Sequence, residues 1–192
     1  MDVVLIGAGG HAKLLVEMLA TSGDRVTGYI DPKKSEWLNA KHLEETYPFE
    51  DRGIRIVMGL CGVTPAALER RLAMLGGWID RGFDTPVLVH PSAVVSKTAR
   101  IEPGAMVLAQ AIVQPGAVIG RGVVVNTGAI VEHDSIIDAG VHVAPGAIVL
   151  GGVRVGSCSM IGAGSVVLVG TQVPAGTLVK AQSRYPETAS AE

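Results

Sequence analysis

The sequence predicts a small α/β N-terminal domain of the half-Rossmann type, followed by an all-β parallel β-helix of five coils. Two observations predict the β-helix. Every sixth residue from Val89 to Val179 is Val or Ile, sixteen times without interruption, and a hexapeptide period is typical of this fold. The residue four places later in each hexad is Ala, Ser, Thr or Val. A third observation, a glycine-rich turn between an apolar strand and an amphipathic helix, predicts the α/β domain.

The hexads also indicate the domain boundaries. Each hexad forms one flat side of a prism and three sides close a coil, so the fifteen hexads of residues 89–178 predict five coils. The β-branched side chains fill the prism, and the compact residues lie where its walls approach most closely. We predict domains over residues 1–88 and 89–179 and a polar tail over 180–192. We expect the last residues of that tail to be disordered.

Composition narrows the class of protein. The net charge of −2 gives no basic surface for nucleic acid. No run of about eighteen apolar residues is present, so we expect no membrane insertion. The N-terminus enters a strand without a basic region or a cleavage site, which argues against a signal peptide. Cys61 and Cys158 fall in different domains and predict reduced thiols, so we expect a cytoplasmic protein.

The first elements form a βαβ unit. An apolar strand over residues 3–6 leads into Gly-Ala-Gly-Gly-His-Ala at 7–12, and a second strand over 25–30 ends at Asp31. The glycines fit the G-x-G-x-x-G/A pattern, and Asp31 follows where such folds often bind a ribose hydroxyl. A turn of this kind that binds no ligand remains the alternative. The helix between the strands has one apolar face, formed by Ala12, Leu15, Val16 and Leu19.

The remaining elements of the α/β domain are shorter or less regular. Residues 33–53 are charged and irregular, with a possible short helix over Glu36–Glu45. A third strand over 54–58 is closed by Gly59. Thr64 then caps a helix with Pro65 at its first position, and we expect this helix to end at Gly76-Gly77. The domain has room for a nucleotide but hardly for NAD and a substrate. The inner stripe of the helix is Leu68, Leu72 and Leu75.

Dense polar side chains occur in the repeat only between Asn126 and His142. His133 lies between Glu132 and Asp134, and a histidine beside a carboxylate is a natural general base. The alternative is a solvated surface histidine. Three features favour catalysis.

The first is the pair of neighbouring carboxylates, which can orient the ring of His133. The second is Gly151, one 18-residue coil above His133, which leaves room for a thioester and offers a backbone N–H to an oxyanion. The third is Asn126, seven residues before His133, which can hydrogen-bond a polar group of a substrate.

Taken together, these motifs resemble those of bacterial hexapeptide-repeat sugar acyltransferases with a small nucleotide-binding front domain. The resemblance is carried by GAGGHA at 7–12, by Tyr29-Ile30-Asp31, by Met58-Gly59, and by Val125-Asn126-Thr127 with Glu132-His133-Asp134. It covers almost the whole chain. The family comprises N-acetyltransferases of nucleotide-linked amino-deoxy sugars, which make bacterial surface glycan precursors, and sialic-acid-type O-acetyltransferases. The resemblance implies the first activity for this chain, with the second as the alternative.

The resemblance implies roles for individual residues. Gly9, Gly10, His11 and Asp31 would bind the nucleotide-linked sugar, with Gly59 nearby and Asn126 at the sugar. His133 would be the catalytic base and Asp134 its carboxylate partner. His142 would contact acetyl-CoA, the co-substrate, with Gly151 and Ala163 further along the same cleft. The resemblance also implies a left-handed prism and a homotrimer with its cleft between neighbouring prisms. We expect no metal, because the histidines are not spaced for a zinc site.

The chain departs from the family at two points. Relatives often have two consecutive acidic residues where this chain has Asp31-Pro32, which affects the contacts to the base and ribose. The usual Gly-x-Pro-Ala-Lys end of the repeat is replaced by residues 180–186, which affects the contacts to the far end of CoA. The sequence leaves open the sugar, the nucleotide (UDP, GDP or dTDP) and whether an amine or a hydroxyl accepts the acetyl group.

Three other classes of protein fit the sequence less well. A zinc enzyme of the γ-carbonic anhydrase type needs three clustered histidines, and the five histidines of this chain are not spaced for one. A non-catalytic trimeric scaffold has no need of a His-Asp pair facing a glycine. An NAD enzyme would need a larger front domain. The sequence therefore favours an acetyltransferase.

Overall fold

The structure, a computed structural model, describes residues 1–49 and 53–186. The chain divides into two compact units. The N-terminal unit contains residues 1–61 and 73–86, and the β-helix unit contains 62–72 and the chain from 87 onward. The helix that follows Thr64 contributes its first eight residues to the β-helix unit and the rest to the N-terminal unit.

The chain up to residue 86 contains β1 (Asp2–Ile6), α1 (Gly10–Thr21), β2 (Arg25–Ile30), β3 (Lys41–Leu43), β4 (Arg55–Met58) and α2 (Pro65–Asp80). The four strands form a parallel sheet with the order β3-β2-β1-β4. Strand β1, one of the two inner strands, is buried on both faces, as the apolar run at its position predicts. Helix α1 packs Ala12, Leu15 and Leu19 into the core, which confirms most of the predicted apolar face.

The predicted helix over Glu36–Glu45 is wrong, because part of this segment forms the edge strand β3. Gly28 of β2 has no side chain where Leu43 packs, and a Cβ there would lie 2.8 Å from the Leu43 side chain. The His42 ring stacks on Tyr29 with ring centroids 5.0 Å apart. Pairing with β2 therefore outweighs the weak helical pattern of this charged segment.

The predicted start of α2 is confirmed, but its predicted end is wrong. The Ala67 N–H donates to the Thr64 hydroxyl at 3.3 Å, as expected of a capping residue. The helix continues through Gly76-Gly77 to Asp80. It ends where the Phe83 N–H donates to the Trp78 carbonyl at 3.2 Å and the Gly82 N–H to the Ile79 carbonyl at 2.8 Å.

Packing of Trp78 explains why α2 continues. The Trp78 side chain is 7% exposed and packs edge-on against Phe49 and Phe83, with ring centroids 5.4 Å apart in each pair. Two glycines in a helix cost about 1 kcal/mol each. Burying a large aromatic side chain contributes on the order of 4 kcal/mol, which exceeds the two costs together, so the helix extends past the glycines.

The β-helix unit has three walls of two-residue parallel strands, with six, six and five strands. These make five complete coils and two sides of a sixth. The first wall is β5 (Leu88–Val89), β8 (Met106–Val107), β11 (Val124–Val125), β14 (His142–Val143), β17 (Met160–Ile161) and β20 (Leu178–Val179). The second wall is β6 (Val94–Val95), β9 (Ile112–Val113), β12 (Ile130–Val131), β15 (Ile148–Val149), β18 (Val166–Val167) and β21 (Arg184–Tyr185). The third wall is β7 (Arg100–Ile101), β10 (Val118–Ile119), β13 (Ile136–Ile137), β16 (Arg154–Val155) and β19 (Gln172–Val173).

The hexad positions have the predicted roles. The β-branched residues from Val107 to Val179 are at most 3% exposed and form one continuous core with the compact residues. Ser135, Ser159 and Ser165 take the compact position with their hydroxyls hydrogen-bonded to carbonyl groups. Paired residues in successive coils are 18 apart, as in Ile130 and Ile148. The repeat therefore sets the register of every coil.

The prediction of a purely polar tail from residue 180 is wrong for its first part. Strand β21 continues the second wall, and Tyr185 takes the interior position of one more hexad. The hexad was missed because tyrosine replaces the β-branched residue, although Ser183 keeps the compact position. The expected disorder of the last residues concerns 187–192, outside the described residues.

Neither helix within the described ranges is long and apolar enough to cross a membrane. In the same ranges, no three His, Cys, Asp or Glu side chains come together as metal ligands. Within the described residues, neither Cys61 nor Cys158 forms a disulfide bond.

Candidate functional site

His133 and Asp134 form a pair on the turn that follows the second wall. The His133 Nδ1–H donates to Asp134 Oδ2 at 2.9 Å. The side chains are 63% and 74% exposed, so a ligand can reach both. Because Nδ1 carries the proton toward the carboxylate, Nε2 keeps its lone pair and can accept a proton.

The backbone of Asp134 is unusual for its residue type. Its φ is +59°, in the left-handed region, at a turn position where most other hexads carry glycine. Asp is one of the few residues that adopt this conformation at moderate cost. The turn is held by the Asp134 N–H, which donates to the Pro115 carbonyl at 3.1 Å. The carboxylate therefore sits beside His133 because the chain accepts a conformation that glycine would adopt more easily.

Two glycines on the neighbouring coils leave room for the pair. Gly116 lies one coil below Asp134, and a Cβ there would be 2.5 Å from its Oδ1. Gly151 lies one coil above His133, and a Cβ there would be 2.7 Å from Nε2. Side chains at either position would displace the pair. The predicted proximity of Gly151 to the reactive nitrogen is thus present in the structure.

The Gly151 N–H makes no hydrogen bond to any acceptor within residues 1–49 and 53–186. The fold does not need this donor, because the same hexad position is proline in four other turns. A backbone N–H beside a base is the arrangement that stabilises an oxyanion. Those prolines are Pro91, Pro103, Pro115 and Pro145.

Asn126 and His142 form a second, buried polar group. The His142 Nδ1–H donates to the Gly62 carbonyl at 2.8 Å, so Nε2 accepts from the Asn126 amide at 3.0 Å. The Asn126 carbonyl oxygen accepts the Thr127 N–H at 2.8 Å. Asn126 and His142 are only 8% and 3% exposed. Both side chains are therefore held in one orientation by the protein itself.

The surroundings of His142 favour its neutral form. Burial lowers the pKa of His142 from the usual value of 6.5, and the hydrogen bond to Gly62 opposes this effect. The positive charge of Arg71 lowers the pKa further. Arg71 is itself buried and donates to the Gly122 carbonyl. The neutral ring agrees with its role as both donor and acceptor.

The predicted site residues of the β-helix lie on two different edges of the prism. His133, Asp134 and Gly151 lie on turns that connect the second wall to the third. Asn126 and Ala163 lie on turns that connect the first wall to the second, and His142 lies on the first wall itself. The structure therefore brings the base and Gly151 together but not the base and Asn126 within one chain.

In the N-terminal unit, Asp31 supports the glycine-rich turn. Its Oδ2 accepts the Ala8 N–H at 2.9 Å, and its Oδ1 accepts the Lys33 N–H at 2.9 Å. The Trp37 indole N–H donates to the Ala8 carbonyl on the same turn at 2.9 Å. The acidic residue predicted at the nucleotide is therefore also a structural part of the turn.

The other predicted nucleotide residues lie around this turn. Gly9 and Gly10 are exposed, with open space where side chains would be, and His11 follows in the first turn of α1. Gly59 is buried against Gly7, whose carbonyl oxygen would collide with any side chain there. Close backbone packing explains Gly59 without a ligand, so its predicted contact with the nucleotide stays a prediction.

A cavity of about 490 Å³ opens at the carboxyl ends of β1 and β2. Of the predicted site residues only Asp31 lines it. The wall contributed by α2 was missed by sequence reasoning, because the helix was expected to end at Gly76-Gly77. The lining residues are Ile6, Gly7, Ile30, Asp31, Pro32, Glu45, Leu60, Met74, Gly77, Trp78 and Arg81.

The chain is similar to known proteins in sequence and in fold. A family model for the PglD N-terminal domain matches residues 2–55. The acetyltransferase domain of PglB from Neisseria gonorrhoeae FA1090 is 32% identical, with a TM-score of 0.85, covering 95% of this chain and 90% of that chain. Its complex with acetyl coenzyme A is 33% identical, with a TM-score of 0.83, covering 94% and 88%.

PerB from Caulobacter crescentus, solved in complex with CoA and GDP-perosamine, is 31% identical. Its TM-score is 0.87, covering 96% of this chain and 88% of that chain. No curated protein sequence matches the chain. These similarities confirm the predicted fold class, a short α/β part followed by a left-handed parallel β-helix of about five coils.

Proposed function

Because this chain belongs to the family of hexapeptide-repeat sugar N-acetyltransferases with a PglD-type N-terminal domain, we propose that it acetylates the amino group of a nucleotide-linked amino-deoxy sugar. The acetyl donor is acetyl-CoA, which is bound in one similar structure, and no metal takes part. The product is a precursor of a bacterial surface glycan, made in the cytoplasm. The observation that carries the proposal is the lone pair of His133 Nε2 beside the uncommitted N–H of Gly151.

His133 acts as the general base. A sugar amine attacks the thioester carbonyl and forms a C–N bond, and His133 Nε2 takes the proton that the nitrogen loses. The C–S bond then breaks and CoA leaves as a thiolate, which takes up a proton from the histidine or from water. General-base catalysis contributes typically about 10²–10⁴-fold to such a step.

Asp134 orients the base. Its hydrogen bond to Nδ1 keeps the proton on that nitrogen and directs Nε2 outward. When His133 becomes positively charged, the carboxylate at 2.9 Å stabilises that charge. Because both side chains are exposed in the free chain, the bound substrates have to exclude water before this attraction becomes strong.

Gly151 receives the developing oxyanion. Its N–H is not used by the fold, and the missing side chain leaves space beside Nε2 for a planar thioester. A fixed backbone donor costs no reorganisation when charge develops on the carbonyl oxygen. Removing one such donor typically costs about 10²–10³-fold in kcat.

The nucleotide end of the substrate binds to the N-terminal unit. Its cavity of about 490 Å³ is within the usual range for small-molecule sites and lies at the carboxyl ends of parallel strands, where ligands of such sheets bind. Asp31 both lines the cavity and holds the Ala8 N–H of the glycine-rich turn. A carboxylate that accepts two amide hydrogens keeps further lone pairs for a ribose hydroxyl.

We also propose a homotrimer, and the three walls differ in a way that supports it. The outward face of the first wall is covered near Met160 within its own unit by Leu68 and Leu72. The third wall carries Arg100, Arg154 and Gln172 outward among apolar residues. The second wall presents an apolar row that residues 1–49 and 53–186 leave exposed or partly exposed, formed by Val94, Ile112, Ile130, Ile148 and Val166.

A second copy on that row would also complete the site. One prism places its base and its Asn126 on different edges, so both can meet one substrate only if Asn126 comes from a neighbouring chain. In this arrangement, the neighbouring chain contributes His142 and Ala163 together with Asn126. The first chain contributes Gly151 together with His133. Acetyl-CoA would then lie between two copies of the chain.

The activity is tested with purified chain, acetyl-CoA and 4-amino-4,6-dideoxy sugars linked to GDP, UDP or dTDP. Products should be identified by mass spectrometry, because Cys61 and Cys158 would interfere with thiol reagents. An N-acetylated nucleotide-sugar is the expected product. Failure with all the amino sugars, together with acetylation of a sialic acid hydroxyl, would contradict the proposal.

A further inference from the structure

We propose that the cavity of the N-terminal unit binds a guanine base, and that Glu45 selects guanine over uracil and thymine. The inference rests on the proposed function and narrows its substrate to sugars linked to guanosine diphosphate. The cavity is lined by charged side chains, and an aromatic cluster forms part of its wall.

The cavity suits a flat ring with polar edges. Its walls are mostly apolar and come from strand ends and from α2, including Leu60, Met74 and Trp78. Gly77 leaves space, since a Cβ there would meet no atom within 4 Å. A nucleobase buries its faces against apolar side chains, and its edges then need polar partners.

Asp31, Glu45 and Arg81 are the charged residues that line the cavity, and the two carboxylates differ in their hydrogen bonding. Both carboxylate oxygens of Asp31 already accept amide hydrogens from the chain. The carboxylate of Glu45 has no hydrogen bond or ion pair within the described ranges 1–49 and 53–186. Glu45 is therefore the charged acceptor with both oxygens open to a ligand.

One aromatic cluster connects the turn that carries Glu45 to the Trp78 ring on which Arg81 stacks. The turn that carries Glu45 continues into Tyr47 and Phe49, whose rings pack edge-on at 5.0 Å between centroids. Phe49 packs on Trp78 at 5.4 Å, and the Arg81 guanidinium lies 4.2 Å from the centroid of the Trp78 ring. The stacked guanidinium has a defined plane with donor groups along its edge.

These groups are complementary to guanine. Guanine has two adjacent donors, N1–H and the N2 amino group, which match the two oxygens of the Glu45 carboxylate. Its O6 and N7 are acceptors that an arginine can bind, as Arg81 would. Uracil and thymine present one N–H between two carbonyl groups. One oxygen of the Glu45 carboxylate would then face a carbonyl oxygen, and this repulsion would weaken the binding of either base.

The test measures binding of GDP, UDP and dTDP to the full chain by titration calorimetry. GDP should bind about tenfold to a hundredfold more tightly than UDP or dTDP, in line with the usual discrimination of a bidentate base contact. Glu45→Gln should weaken the binding of GDP by about tenfold or more, and it should leave the affinity for UDP unchanged or increased. Glu44→Gln is the matched control, because Glu44 is exposed on the same turn and does not line the cavity.

A further variant locates the binding. Gly77→Leu places a side chain into the cavity and should weaken all three nucleotides, while leucine is favoured over glycine in a helix. Tighter binding of UDP or dTDP than GDP, or an unchanged preference in Glu45→Gln, would overturn the guanine inference alone. Failure of every nucleotide to bind would overturn the inference and the nucleotide-linked substrate together.

Discussion

The imidazole of His133 occupies the space that a side chain on Gly151 would need. A Cβ at Gly151 would lie 2.7 Å from Nε2 and 2.8 Å from Cε1 of the ring. The two residues are one coil apart, and the Gly152 N–H bonds to the His133 carbonyl at 3.0 Å between the same coils. The reactive nitrogen is therefore positioned by the stacking of the β-helix.

Replacing Gly151 by alanine tests this relationship. The exposed His133 ring should rotate away while the fold remains, because Gly151 does not need a left-handed backbone. Displacing a catalytic group by about 1 Å costs on the order of 10²-fold in rate. We expect kcat to fall by about that factor with Tm nearly unchanged.

Gly146→Ala is a useful contrast, because Gly146 has φ +67° and open space, so alanine should lower Tm with little effect on kcat. Equal activity of Gly151→Ala and wild type would contradict the assigned role.

Asp134 should lower the stability of the fold while it supports catalysis. Its φ of +59° is a conformation that glycine adopts freely, so Asp134→Gly should raise the free energy of unfolding by about 1 kcal/mol. The same variant should lower kcat, since the His133 ring loses its partner. Asp134→Asn tolerates the same backbone and should lose less activity than His133→Ala. Urea unfolding and steady-state kinetics on the same samples check both effects. A stable Asp134→Gly with full activity would remove Asp134 from the mechanism.

His142 predicts how stability depends on pH. The unfolded chain protonates this residue near pH 6.5, whereas the folded chain does so only at lower pH. As pH falls below about 7, the unfolded state therefore binds more protons and the free energy of unfolding decreases. One proton contributes a slope of at most about 1.4 kcal/mol per pH unit. Urea unfolding at pH 5.5 and 7.5 should show a smaller pH difference in His142→Gln than in wild type. An unchanged difference would contradict the burial and hydrogen bonding assigned to His142.

The apolar row on the second wall predicts self-association. Light scattering should give three times the chain mass of 19.8 kDa at micromolar concentration. Ile130→Lys places a charge in the middle of the row and should dissociate the trimer and abolish activity, because the site would lose the residues of the neighbour. Lys replacing Gln172, which is exposed on the third wall, is the control and should leave the mass unchanged. A monomer mass for the wild type would contradict the proposal.

The β-helix was predictable because its signal is local and repeated. Each Val or Ile of the hexads reports the same interior position, and register follows from the period of 18 residues, as Ile130 and Ile148 show. The prediction stopped early only where Tyr185 replaced the β-branched residue. The placement of Gly151 above His133 could be counted from the sequence for the same reason.

Other features depend on contacts that sequence patterns do not carry. The extension of α2 through Gly76-Gly77 follows from the packing of Trp78 on Phe49 and Phe83, residues far apart in sequence. Without that extension, the cavity wall of Trp78 and Arg81 could not be foreseen. The hydrogen bond of His142 to Gly62 spans 80 residues and was likewise not visible.

The central claim is that His133 is the general base, and His133→Ala tests it most directly. With an accepted amino sugar and acetyl-CoA both saturating, kcat should fall by about 10²–10⁴-fold. KM for both substrates should barely change, because the ring contributes little to ground-state binding. Circular dichroism and light scattering should match the wild type, since the His133 side chain is exposed and outside the core. Retention of more than about half of the wild-type kcat would make His133 a surface residue and contradict this account of the site.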